Sequence, residues 1–167
     1  METYNVHIQG LSNNVHHFQY NLGDAFLRHY GKGILSEGTF KADVTLDKRE
    51  TFIEATFTIT GTAKLECDRS LDLFDYPMEI DRKIIFKFGN EDKEMSDDVM
   101  MIHRNTDTLR LGHYLFEFIG LAIPMKKLHP RFKQDEETDE IVYSSDENEK
   151  KEEIDPRWEI LKKLNKN

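Results

Sequence analysis

At 167 residues the chain has room for one domain and a tail, and its 38% hydrophobic and 11% aromatic residues suffice for one buried core. No apolar run approaches the roughly 20 residues that span a bilayer. The polar start, Met1 to Asn5, does not read as a signal peptide, and a single cysteine excludes an internal disulfide framework, so a reducing, cytoplasmic setting is expected. The net charge of −9 is unevenly spread: Asp135 to Glu153 holds ten acids and two lysines, which leaves the rest near neutral.

Taken in chain order, Tyr4–Ile8 and His16–Tyr20 give weak strand signals, and Asp24 to Tyr30 reads as a short helix capped by Asp24, with Gly31 and Gly33 after it. Three stretches then alternate with the period of two of half-buried strands. Phe40, Ala42, Val44 and Leu46 form the first apolar set. Ile53, Ala55, Phe57, Ile59, Ala63, Leu65 and Cys67 form the second, with Gly61 expected to mark a bend or bulge. Met78, Ile80, Ile84, Phe86 and Phe88 form the third, interrupted by Arg82. The polar run Asp47 to Glu50 is short enough for a hairpin. Asn90 to Asp98 is charged and aperiodic, and reads as a mobile loop. Leu111, Leu115, Phe118, Ile119 and Ala122 recur at helical spacing until Pro124.

The end of the chain has its own logic. Asp155 suits an N-cap, Pro156 a first helical position, and Trp158, Leu161 and Leu164 make an apolar stripe. A helix of about a dozen residues is marginal alone in water, so it needs a surface, either the body's own sheet or a partner's groove. The expected organisation is a β-rich domain over 1–134, an acidic flexible linker over 135–153 and an amphipathic helix over 154–167. The expected fold class is α+β: a mainly antiparallel sheet, open or barrel-like, with a few short helices and a disordered acidic tail ending in a short helix.

Little here points to catalysis. Cys67-Asp68-Arg69-Ser70 resembles half a zinc knuckle, but Ser70 stands at the second ligand position and no other cysteine exists. Cys67 continues the inward parity of its strand, which makes it a buried structural thiol. His113 and Glu117 share a helical face without a third ligand at recognisable spacing. Phosphate-loop, dinucleotide-binding and nucleophile-elbow motifs are absent. No catalytic residue, metal or cofactor is therefore expected. Lys126, Lys127, His129, Arg131 and Lys133, beside Phe132, form a basic cluster. Such a mix can meet phosphates and stack a base of single-stranded RNA, or simply solvate a linker.

Three features in order resemble one family. Cys67-Asp68-Arg69-Ser70-Leu71 is similar to a Cys-x-Arg-Cys-Leu motif that closes a long strand in the YceD family, the large-ribosomal-RNA-subunit accumulation proteins of bacteria and plastids. Leu121-Ala122-Ile123-Pro124 followed by His129 is similar to its Leu-x-Leu-Pro element. An acidic run and the terminal Asp155-Pro156-Arg157-Trp158 complete the set. Ser70 replaces the second cysteine, and the further Cys-x-x-Cys pair of some members is missing, so no metal role carries over. The resemblance implies a non-enzymatic part in accumulation or maturation of large-subunit (23S) ribosomal RNA. The expected partners are a precursor large subunit, its RNA or a ribosomal protein, with no membrane and no small-molecule substrate. The binding residues expected are Lys126, Lys127, His129, Arg131, Lys133 and Arg69, with Arg157, Trp158, Lys162 and Lys163 from the terminal helix. The alternative is an acidic protein-binding adaptor without RNA contact, anchored by the Trp158 helix.

Overall fold

The computed structural model describes residues 2–31 and 33–132. The expected linker over 135–153 and helix over 154–167, with Arg157, Trp158, Lys162 and Lys163, lie outside the described residues, as does Lys133.

The alternating stretches become the strands of an antiparallel meander. They are β2 (Val15–Leu22), β3 (Gly38–Lys48), β4 (Phe52–Glu66) and β5 (Leu73–Gly89), following a three-residue β1 (Asn5–His7). The hairpin at residues 49–51 sets Leu46 opposite Ala55 and Val44 opposite Phe57, so both apolar sets fall on one face. β4 and β5 continue this, with Ile59 opposite Ile80 and Ile53 opposite Phe86. Phe40, Phe57, Phe86 and Ile59 are fully buried, whereas Thr39, Thr56 and Thr60 on the other face are exposed. One wet and one dry face is what clean alternation produces.

The rest of the sheet was less legible. β6 (Lys93–Ser96) and β7 (Val99–His103) follow β5 and give the six-stranded order β2-β3-β4-β5-β7-β6, in which β7 runs parallel to β5. The expected loop over Asn90–Asp98 thus contains an edge strand. All four residues of β6 are exposed, so burial imposes no alternation on it and its charges protect the edge. β1 pairs with β8 (Thr108–Arg110) as a separate ribbon. Because β1 and β8 pair with each other and do not bridge β2 to β6, the sheet stays open and no barrel forms.

Two helices cover the dry face. α1 (Asp24–Gly31) packs Phe26 against Tyr4 with ring centroids 4.8 Å apart. Asp24 is its first residue, and its carboxylate accepts the Gly38 amide (3.0 Å), tying the helix to β3. α2 (Leu111–Leu121) sets Phe118 against Phe57 (5.2 Å) and Tyr114 against Phe86 (5.4 Å), both edge to face. Burying rings of this size contributes about 1.5–3 kcal/mol each. Arg82 holds an inward parity opposite Phe57 yet is exposed.

Gly61 is not a bulge. The register runs unbroken through it on both sides, Phe40 on β3 and Met78 on β5. Its role is close approach: a Cβ here would overlap the Thr39 carbonyl oxygen and lie 2.6 Å from Phe40 Cα.

Candidate functional site

β4 delivers Cys67 to a tight turn at its end. The turn closes through Leu71 N–H to the Cys67 carbonyl (2.8 Å) and Cys67 N–H to the Asp72 carbonyl (2.9 Å). To close it, Leu71 adopts φ +60°, a left-handed conformation that costs a branched-chain residue about 1–2 kcal/mol, and it leaves its side chain 71% exposed.

Pro124, beyond the end of α2, sends the chain back across this turn. Asp68 N–H donates to the Lys127 carbonyl (2.8 Å), and Lys127 N–H returns a bond to the Asp68 carboxylate (2.7 Å). His129 N–H donates to Cys67 Sγ at 3.3 Å, and the His129 ring lies 5.6 Å from that of Phe74. Arg69 and Arg131 both lie over the Phe132 ring, 4.7 and 4.8 Å from its centroid. Two segments some 60 residues apart, the cysteine turn and the basic cluster, thus form one polar knot over a buried thiol.

The fold therefore brings together Arg69, Lys127, His129 and Arg131. Lys126 is adjacent and exposed. What sequence reasoning missed are the partners these cations already have. Lys127 Nζ is 3.4 Å from the Asp68 carboxylate, and the Arg131 guanidinium pairs with Asp72. The acids flank Ser70 in plain view, but nothing in sequence spacing says that residues 127 and 131 cross them.

Electrostatics follow from this knot. Burial pushes the Cys67 thiol up. The nearby Ser70 hydroxyl and the amides of His129, Ser70 and Arg69 outweigh burial and bring the thiol to about 7. Ser70 Oγ is buried and lowers the Asp72 carboxyl as well, although it completes a hydrogen bond with neither group. Hydrogen bonding from the Lys127 amide holds Asp68 below its ordinary 3.8, and Ser70 and Arg131 do the same for Asp72.

A pH dependence results, with its sign set by these depressed carboxyls. Their contribution to stability is present above the ordinary value of 3.8 and is lost as pH falls through the lower folded values. The double variant Asp68→Asn, Asp72→Asn should lose stability less steeply than the wild-type chain below about pH 4. Acid titration followed by circular dichroism checks this, and identical slopes would refute it.

Among the described residues no three His, Cys, Asp or Glu side chains are grouped to hold a metal, and no helix is long and apolar enough to cross a membrane. The arrangement can do two things chemically. It clamps the chain leaving α2 onto the end of β4, and it presents stacked guanidinium groups and an exposed Leu71.

Comparison with known proteins covers this same region. The model of a family described as "Large ribosomal RNA subunit accumulation protein YceD" matches residues 55–165. A curated relative, the uncharacterized protein YlbN of Bacillus subtilis (strain 168), is 35% identical over 113 residues. The match takes in 65% of this chain and 63% of that relative, so the chain spans less than two thirds of the relative's length. No solved structure matches.

Proposed function

The chain belongs to the YceD family, and from that premise we propose that it is a non-enzymatic, cytoplasmic ribosome-biogenesis factor that supports accumulation of large-subunit ribosomal RNA. One observation carries this reading: the family match, over residues 55–165, contains both halves of the knot that joins Cys67–Asp72 to Lys127–Phe132. The family is described by RNA accumulation and not by a catalysed reaction. In this reading the body docks on a precursor large subunit. Arg69, Lys126, Lys127, His129, Arg131 and Lys133 face RNA or a ribosomal protein, with Arg157, Trp158, Lys162 and Lys163 as further contacts. Deleting the gene should reduce large-subunit RNA relative to small-subunit RNA in gradient profiles. Normal ratios at every growth temperature would refute the proposal.

A second reading, the protein-binding adaptor without RNA contact, is favoured by the ion pairs. Lys127 and Arg131 already face Asp68 and Asp72, which leaves less of their charge for phosphates. Charge reversal at Lys126 and Lys127 separates the two. RNA contact predicts lost co-sedimentation with precursor particles and a weaker salt dependence. The adaptor predicts that co-sedimentation survives this change and disappears on removing residues 154–167.

A further inference from the structure

Beside α2 the molecule carries a groove whose lining contains none of Arg69, Lys126, Lys127, His129 and Arg131. It holds about 600 Å³ between α2 and the β5, β7 and β6 edge. Its floor is apolar, with Ile84, Val99, Met100 and Phe118, and its walls carry Glu94, Asp97, Asp98 and Glu117. Arg82 and His113 are the basic side chains that line it. A second cleft of about 830 Å³ shares Glu94, Met100, His113 and Tyr114 with the first, so the two adjoin, and it adds Asp92 and Asp107 together with Lys93 and Arg110.

The charges in this groove differ from those of the knot. Among the described residues Lys127 and Arg131 have counter-ions, whereas none of Glu94, Asp97, Asp98 and Glu117 forms an ion pair. All four are exposed. Their field is felt nearby: Tyr114 is raised first by burial and then by Glu117, Glu94 and Asp92. Carboxylates that form no ion pair among the described residues, set around an apolar floor, repel phosphate and attract cationic groups that carry apolar surface.

We infer that this groove docks a cationic segment of a partner protein, with Lys or Arg side chains on the carboxylate walls and large apolar side chains over Met100 and Phe118. The inference deepens the proposed function by naming a partner class. It rests on that reading only for the source of such segments, the basic proteins that assemble on large-subunit RNA. The four carboxylates of the first groove disfavour the phosphates of RNA there.

The test uses the full-length chain and a labelled lysine–leucine peptide, with its glutamate–leucine counterpart and an oligouridylate as controls. Binding is followed by anisotropy, and its place by the Met100 methyl resonance. The lysine–leucine peptide should bind and shift Met100, and the two controls should not. Glu94→Gln with Glu117→Gln should weaken binding about tenfold, and added salt should weaken it further. Unchanged affinity in that double variant, or an unmoved Met100, overturns the inference and places the peptide elsewhere, such as on the acidic run 135–153. A Met100 resonance that responds to Trp158→Ala but not to peptide also overturns it, in favour of an occupant from this chain. Because the peptide assay does not depend on RNA levels in cells, its failure is distinguishable from failure of the proposed function.

Discussion

Replacing Phe57 with alanine is expected to cost about 3–5 kcal/mol, a large fraction of the stability of a domain this size. Phe57 is fully buried at the centre of β4, between Val44 on β3 and the stretch of β5 at Arg82, and its ring meets Phe118 of α2 edge to face at 5.2 Å. Arg82 opposite it is exposed and keeps its guanidinium in water, so its methylene stem fills little of the cavity from that side. Urea denaturation of the full-length chain measures the loss. A cost below about 1 kcal/mol would mean that α2 does not seal this face. The loss should be accompanied by faster hydrogen exchange throughout α2, because Phe118 would lose its seat.

The second large effect is expected at Gly61. A valine there must push its branched Cβ into the Thr39 carbonyl and the Phe40 backbone, both of them main chain and unable to rotate away. The strands can only separate locally, which breaks pairing at the Phe40–Gly61 register and disturbs the buried Phe40 ring. Overpacking against fixed backbone costs about 1–3 kcal/mol, and this site belongs at the upper end of that range. Gly61→Ala should show a smaller loss of the same kind. If the stability of both variants matches that of the wild-type chain, β3 does not approach this closely in solution. Amide exchange at Thr39 to Lys41 reports the separation directly.

These two positions show how far the sequence could be read. The burial of Phe57 follows from alternation alone, since every second residue from Ile53 to Cys67 except Gly61 is apolar and polar residues stand between. The need for glycine at position 61 is also visible, but its cause is not: alternation suggests a bulge, and only the register shows an unbroken ladder with a neighbouring backbone too close for a Cβ. β6 illustrates the opposite failure. Lys93-Glu94-Met95-Ser96 is exposed on both sides, so no burial pattern was imprinted on it, and it is a strand only because β7 offers an edge to pair with. The candidate site divides the same way. The basic cluster and the cysteine turn are each conspicuous in sequence, but the ion pairs Lys127–Asp68 and Arg131–Asp72 join residues 59 apart, beyond the reach of local spacing rules.

The sequence by itself therefore determined the antiparallel meander β2 to β5, the helices α1 and α2, the buried thiol of Cys67 and the family resemblance. Each of these is written in local periodicity or in short motifs, because burial of one face acts on every second or every third to fourth residue. The tertiary structure alone decided that the sheet stays open, that β7 joins β5 in parallel, that Lys127 and Arg131 meet Asp68 and Asp72, and that carboxylates line a groove beside α2. Those outcomes depend on which distant segments meet, and the free energy of such meetings lies in long-range packing and charge pairing that no single stretch of chain encodes.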